Sequence, residues 1–163
     1  MIIHAWRLVR EARADGAFSG EGARLYGGRW NPQGLPTTYL SATRSLASLE
    51  VLVHQAEHVP KGRFLFFEVR FPEHFVTTIS PSDLEADWRN FPPRNSTVTL
   101  GGKWLKARSS PVLQVPNIMI PEESNFLLNQ EHPRAEEVEI GDPRPFTFDP
   151  RLSNPPDRAR QSG

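Results

Sequence analysis

The sequence contains no cysteine among its 163 residues. This absence excludes disulfide bonds, thiolate nucleophiles and most structural zinc sites, and it fits the reducing cytoplasm in which we expect the protein to act. No apolar run approaches the ~20 residues that a transmembrane helix needs, so we expect no membrane partner. The first residues, MIIHAWRLVREAR, lack a basic region followed by a long apolar segment, and they do not predict a secretory signal peptide.

The chain also lacks an excess of charge of one sign, because 19 basic and 19 acidic residues give a formal net charge of zero. Nucleic-acid-binding proteins usually carry a basic excess, since neutralising phosphates supplies much of their affinity. The stretch RFLFFEVRF (63–71) resembles a basic and aromatic binding strand, but alternation along a strand points its aromatic side chains towards a core. We therefore predict no direct binding of nucleic acid.

Common catalytic motifs are missing as well. The sequence has no GxGxxG, GxxxxGK[ST], HExxH or GxSxG pattern, which gives no support to a dinucleotide-binding Rossmann fold, a P-loop, a zinc protease or a hydrolase nucleophile elbow. Among five histidines, only His54 and His58 have a helical i,i+4 spacing. Cationic side chains are favourable near the end of a helix, so we interpret this pair as helix-terminal and predict no metal site.

Sixteen prolines and eleven glycines predict many turns and few long helices. Apolar residues three and four positions apart predict a helix over 41–58, capped by Ser41 or Thr43, and VTLGGKWLKAR (98–108) is a possible second helix that its glycines weaken. Residues 14–36 are predicted to form a loop. Predicted strands cover 2–9, 37–40, 63–71, 76–79, 112–115, 118–120 and 125–128, and 138–140 is expected to pair with 145–148.

Many short strands with one main helix and a few short helices predict a compact α+β domain with mixed or antiparallel sheets. We assign residues 1–153 to this single domain. Residues 154–163 are polar and lack apolar anchors, so they are expected to form a frayed C-terminal tail.

Four polar side chains remain as candidates for a functional site. Arg29 follows two glycines in ARLYGGRWNPQG (23–34), Tyr39 ends a predicted strand, and Glu50 and His54 lie one turn apart on the predicted helix. Each also has an ordinary structural explanation: a surface ion pair for Arg29, a core position for Tyr39, a solvated helix face for Glu50 and a helix end for His54. The patterns alone leave both interpretations open.

Taken together, three stretches of the chain resemble the RES domain family, which is named after its arginine, glutamate and serine motif residues. They are GARLYGGRWNPQGLPTTYLSATRSLASLEVLVH (22–54), VPNIMIPEESNFLLNQEHP (115–133) and FTFDPRL (146–152), and they follow the family's order. The resemblance implies an ADP-ribosyltransferase-like fold that binds NAD+ as its substrate and uses no metal.

The resemblance also implies roles for individual residues. Arg29 would bind a phosphate or ribose oxygen of NAD+, Tyr39 would stack on the nicotinamide, and Glu50 would stabilise the charge that develops on the ribose. The family's serine stands in a VPS stretch, whereas this chain reads VPN and places Asn117 there. The resemblance implies that Asn117 takes part in NAD+ binding, because asparagine keeps hydrogen-bonding ability although it loses the hydroxyl. His54 lies within the matching stretch and would support NAD+ binding.

Members of the family are usually toxins of bacterial type II toxin–antitoxin pairs with an Xre-like antitoxin. The resemblance therefore implies a toxin that cleaves the nicotinamide–ribose bond of NAD+ with water or phosphate as acceptor. A mono-ADP-ribosyltransferase that modifies a cytosolic protein is the first alternative. Position 48, two residues before Glu50, is serine, so the second glutamate of many arginine-specific transferases is absent. A non-catalytic module that only binds the antitoxin is the second alternative.

Overall fold

The computed structural model describes residues 1–55 and 58–152 of the chain. Within them, eight strands belong to one sheet: β1 (Ile2–Arg10), β2 (Thr38–Ser41), β3 (Phe64–Pro72), β4 (Val76–Thr78), β5 (Val112–Pro116), β6 (Ser124–Leu128), β7 (Glu139–Ile140) and β8 (Arg144–Phe146). Three α-helices accompany it: α1 (Glu21–Tyr26), α2 (Arg44–His54) and α3 (Asn95–Ala107). Short 3-10 turns lie at Glu11–Gly16, Glu73–Phe75, Pro81–Asp83, Ala135–Glu137 and Pro150–Leu152.

The strands are ordered β4-β5-β6-β2-β1-β3-β7, and β8 also pairs with β3. Only β4 and β5 run parallel among the described pairs, and the other pairs are antiparallel. This mixed sheet with few helices confirms the predicted α+β class. The predicted pairing of 138–140 with 145–148 is wrong, because β7 and β8 instead pair with different parts of β3.

The prediction of a central strand at 63–71 is confirmed by β3, which lies between β1 on one side and β7 and β8 on the other. Its four residues Phe64–Phe67 are all buried, so both faces of the strand are covered. Phe64 and Phe66 contact one apolar cluster, while Leu65 and Phe67 contact another. A strand buried on both faces reads as a continuous apolar run, and this explains the FLFF sequence.

Helix α2 begins after Thr43, whose side chain accepts a hydrogen bond from the Leu46 N–H at 3.0 Å. This confirms the cap, but the helix ends at His54 and is shorter than the predicted 41–58. Ala56, the last residue of the predicted apolar stripe, lies outside the described residues. No helix in the described ranges combines the length and the apolar character needed to cross a bilayer.

The second helix is longer than expected, because α3 covers 95–107 despite its two central glycines. A Cβ atom on Gly101 would lie 1.7 Å from the Trp30 carbonyl oxygen, so the glycine lets the helix pack directly on the backbone of Trp30. Gly101, which lowers helix propensity, is thus required by tertiary packing.

Two further predictions are wrong in detail. Residues 14–36 are not a continuous loop, because α1 lies between Gly20 and Gly27, both of which have φ = 69°. Residues 118–120 do not form a strand but lie in the turn that joins β5 to β6, where the Asn117 N–H donates to the Glu123 carbonyl at 2.9 Å. The predicted tail, 154–163, lies outside the described residues.

Helices α2 and α3 cover the same face of the sheet. In β2, Tyr39 and Ser41 point towards this face, whereas Leu40 belongs to the apolar core on the opposite face. Helix α2 packs on β1 and β3, and α3 packs on β5 and β6. The helix-covered face therefore has a boundary between two apolar clusters, and β2 runs along it.

The strand pairing is shortest between β1 and β2, beside this boundary. Strands β1 and β2 pair only at Trp6 and Ser41, whereas β1 pairs with β3 along its whole length. Beyond this pair, the Arg7 Nη1 donates to the Tyr39 carbonyl at 2.9 Å. Burial lowers the pKa of Arg7 to about 10. An arginine side chain thus supplies a link between the strands where ladder hydrogen bonds end.

Candidate functional site

The glycine-rich loop after α1 is a tight turn that is folded onto Tyr39. The Gly28 N–H donates to the Asn31 carbonyl at 2.9 Å, which closes the turn. A Cβ atom on Gly28 would lie 2.6 Å from the Tyr39 hydroxyl and 2.8 Å from Asn31 Oδ1. The absence of a side chain at this position is therefore already required by contacts within the protein.

Asn31 and Tyr39 form a polar network beneath this turn. The Tyr39 hydroxyl donates to Asn31 Oδ1 at 2.6 Å and accepts from the Trp30 N–H at 3.1 Å. The buried Asn31 amide donates to the carbonyls of Ala23, Pro32 and Leu35. Tyr39 therefore holds the loop that carries Arg29 onto the sheet.

Replacing Tyr39 by phenylalanine is expected to lower the free energy of unfolding by about 1–3 kcal/mol. The change leaves Asn31 Oδ1 without its hydroxyl donor and Trp30 N–H without its acceptor, and unpaired buried polar groups carry a cost of this size. Urea unfolding checks the value. Tyr26→Phe is the matched control, because Tyr26 is exposed and its loss of a hydroxyl should leave stability unchanged.

Arg29 bridges the glycine-rich loop to a distant segment. Its Nη1 donates to the carbonyls of Trp88 at 2.8 Å and Asn90 at 3.0 Å. Its Nε and Nη2 donate to no group in the described part of the chain. Because Arg29 is only partly buried, the three N–H bonds on Nε and Nη2 remain available to a ligand.

Glu50 lies on the half-buried side of α2 and contacts the turn between β5 and β6. Its Oε1 accepts a hydrogen bond from Asn117 Nδ2 at 2.6 Å. No group of residues 1–55 or 58–152 donates to Oε2. The carboxylate thus has one oxygen held by the protein and one oxygen free to accept from a ligand hydroxyl.

His54 lies near Glu50 but contacts its backbone. The His54 Nδ1 is 2.7 Å from the Glu50 carbonyl oxygen, which fits a donated hydrogen bond from the Nδ1–H tautomer. The imidazole therefore caps the last turn of α2, as the structural interpretation expected. Its supporting role towards NAD+ stays a prediction.

Electrostatics connects Arg29, Tyr39 and Glu50. Burial raises the pKa of Tyr39 far above its ordinary value, and the negative charge of Glu50 acts in the same direction. Burial also lowers the pKa of Arg29, while the charge of Glu50 opposes this shift. The three side chains are thus close enough to influence one another, and the Tyr39 phenol stays neutral over the physiological pH range.

The structure brings together residues that are far apart in the chain: Arg29, Tyr39 and Glu50, with Asn117 behind the glutamate. Their roles in catalysis and in NAD+ binding stay predictions. Sequence reasoning missed Asn31 and Asn125, which are both buried and support this set. Asn31 belongs to the same GGRWN stretch as Arg29, whereas nothing in the pattern of β6 distinguishes Asn125.

Within the described ranges, no group of three or more histidine, aspartate or glutamate side chains is arranged to hold a metal ion. An open surface cavity lies away from the predicted site. It measures about 350 Å³ and is lined by Ile2, His4, Arg70, Glu137 and Glu139 among others, none of which belongs to the predicted site.

Comparison with known proteins agrees with the resemblance in sequence. The chain is 35% identical to a protein named Toxin Res from Yersinia enterocolitica, over 90% of this chain and 97% of that protein. It is 33% identical to a Prs ADP-ribosylating toxin from a Sphingobium species, over 93% of this chain and 98% of that protein. The fold matches a chain in the crystal structure of the M. tuberculosis MbcT–MbcA toxin–antitoxin complex with a TM-score of 0.71 and 19% identity, over 93% of this chain and 87% of that chain.

The family model described as the RES domain matches residues 4–149. This range includes the glycine-rich loop, β2, α2 and the turn that carries Asn117. The chain therefore belongs to the RES domain family.

Proposed function

We propose that the protein is the toxin of a bacterial toxin–antitoxin pair and that it cleaves the nicotinamide–ribose bond of NAD+. The observation that carries the proposal is the arrangement of Glu50, with one carboxylate oxygen held by Asn117 and the other free, within electrostatic reach of Arg29 and Tyr39. A carboxylate fixed in this way suits a reaction in which positive charge develops on a ribose ring.

The remaining contacts suit the parts of the substrate. Arg29 has three unused N–H bonds, on Nε and Nη2, in a planar fork, which is the geometry that binds a phosphate of the dinucleotide. Tyr39 is only partly buried, and its aromatic ring is the group we assign to stacking on the nicotinamide. Glu50 Oε2 accepts a hydrogen bond from a ribose hydroxyl and stabilises the cation as nicotinamide leaves.

The acceptor of the ribosyl group distinguishes two reactions. Capture by water or phosphate depletes cellular NAD+, and this is the reaction that we favour. Capture by a protein side chain is mono-ADP-ribosylation, which the name of the Sphingobium relative supports. Since NAD+ is a cytoplasmic metabolite, we expect either reaction to take place in the cytoplasm.

Measuring NAD+ in cells after brief induction tests the proposal, together with a blot for ADP-ribosylated protein. A rapid fall in NAD+ without a labelled band supports depletion. A discrete labelled band with most NAD+ preserved supports the transferase. If neither change occurs while the chain still binds its antitoxin, the chain is a non-catalytic binding module and the proposed reaction is wrong.

The proposed partner is an Xre-like antitoxin that covers the entrance of the site. A toxin must be inactive in its own host, and the structural relative was solved as a toxin–antitoxin complex. Direct blocking predicts that antitoxin and NAD+ compete for the chain. Titrating NAD+ into the purified complex tests this, and simultaneous independent binding would contradict direct blocking.

A further inference from the structure

The orientation of the Asn117 side chain is fixed by its backbone neighbours. Its Oδ1 accepts from the N–H of Met119 at 2.8 Å and from the N–H of Ile120 at 2.9 Å. A backbone N–H can only donate, so the oxygen must face these two groups and the NH₂ must face away from them. The amide nitrogen therefore points towards Glu50, and the side chain is fully buried.

Both hydrogens of the Asn117 amide are used. One is donated to Glu50 Oε1 and the other to Asn125 Oδ1, each with a donor–acceptor distance of 2.6 Å. Asn125 in turn donates to the Leu40 carbonyl and to Ser41 Oγ, each at 3.2 Å. Donation therefore starts at Asn117 and runs two ways, directly to the carboxylate on α2 and through Asn125 of β6 to β2.

We propose that Asn117 is the positioning residue of Glu50: it holds Oε1 and thereby turns Oε2 towards the ribose of the substrate. This inference rests on the proposed function and assigns Asn117 an action through Glu50 rather than a contact with NAD+. All hydrogen-bonding groups of the Asn117 side chain are occupied within the protein, so a ligand finds no free donor there. Misplacing a catalytic group by about 1 Å lowers the reaction rate by about 10²-fold.

The amide suits this task because its two ends have different functions. Its oxygen holds the turn, and its nitrogen holds Glu50. An aspartate of the same shape keeps the acceptor for the turn but presents an oxygen to the carboxylate. When ionised it has no hydrogen to donate, and when the two carboxyl groups share a proton Glu50 loses its full negative charge. A serine retains one hydroxyl that can donate to Glu50, and it loses the second donor to Asn125.

The experiment compares Asn117→Asp and Asn117→Ser with the unaltered chain in an assay of NAD+ turnover by purified protein. We expect Asn117→Asp to lower kcat by about 10²-fold with KM for NAD+ unchanged. Asn117→Ser should lower kcat by no more than about tenfold, which corresponds to the loss of one hydrogen bond. The proposal is overturned if Asn117→Asp keeps the kcat of the unaltered chain per folded molecule, or if only KM rises.

Asn129→Asp is the matched control for burying a charge. Asn129 is also buried, donates to the Leu105 carbonyl and accepts from the Glu131 N–H, so the aspartate keeps one contact and loses the other. It lies four residues beyond Asn125 along the chain, roughly 13 Å in an extended strand. Its substitution should lower stability and leave kcat per folded molecule unchanged. A matching loss of kcat in this control would overturn the proposal.

The side-chain amide signal of Asn117 in an NMR spectrum separates this inference from the proposed function. If the unaltered chain does not turn over NAD+, the proposed function fails, and the hydrogen bond is still read directly. Glu50→Ala should then shift the Asn117 amide signal and leave that of Asn129 in place. An unchanged Asn117 signal shows that Glu50 is not held and overturns the inference on its own.

Discussion

Replacing Glu50 by glutamine is expected to lower NAD+ turnover by about 10²–10³-fold while the fold stays intact. The loss reflects the removal of a fixed negative charge from a reaction that builds positive charge on the ribose. Glutamine has nearly the same shape, and its side-chain oxygen can still accept from Asn117, so the contact between α2 and the β5–β6 turn survives. The measurement is nicotinamide release by purified protein.

Glu73→Gln is the control for the change in net charge. Glu73 is exposed in a 3-10 turn and is not among the residues of the candidate site. It should turn over NAD+ at the rate of the unaltered chain. Equal activity of the Glu50→Gln protein and this control would exclude Glu50 from the reaction, and the Asn117 network would then have only a structural function.

Replacing Gly101 by alanine is expected to destabilise the protein by about 3 kcal/mol, at the upper end of the usual cost of overpacking. The new Cβ would lie 1.7 Å from the Trp30 carbonyl oxygen and 2.7 Å from its carbon, and these backbone atoms cannot turn aside. Alanine favours a helix over glycine by up to about 1 kcal/mol, and the clash must exceed this gain. Urea unfolding gives the difference.

Gly102→Ala tests whether the loss of stability comes from the clash with the Trp30 backbone rather than from placing alanine in the helix. Its Cβ would meet only side-chain atoms of Pro32, at 3.2 and 3.4 Å, so helix propensity should offset most of the crowding. Gly22→Ala in α1 meets nothing within 4 Å and should be neutral or slightly stabilising. Equal losses at positions 101 and 102 would contradict the role assigned to the Trp30 backbone.

The features predicted correctly are those that depend on neighbours along the chain. The cap at Thr43 and the continuous apolar run of β3 are local signals, and both are confirmed. Helix α3 was underestimated because the reason for Gly101 is the backbone of Trp30, about 70 residues earlier. Propensity cannot register such a contact.

The candidate site depends still more on distant contacts. Asn117 and Glu50 are separated by 67 positions, and Arg29 and Trp88 by 59. The resemblance to a family singled out Arg29, Tyr39, Glu50 and Asn117, but spacing alone left the first three with ordinary structural explanations and did not single out Asn117. Asn125 escaped notice because a buried asparagine in a strand has no periodic signature, and its function appears only when β2 and β6 are paired.

The single residue pair between β1 and β2 has a mechanical consequence. Helix α2, which carries Glu50, packs on β1 and β3, whereas Arg29 and Tyr39 belong with β2 and the strands beyond it. The candidate reacting groups therefore lie on two parts of the structure, which the sheet joins through a single residue pair. Two side-chain hydrogen bonds also connect these parts, from Arg7 to the Tyr39 carbonyl and from Asn117 to Glu50. The distances between the candidate reacting groups therefore depend on the strength of these two hydrogen bonds.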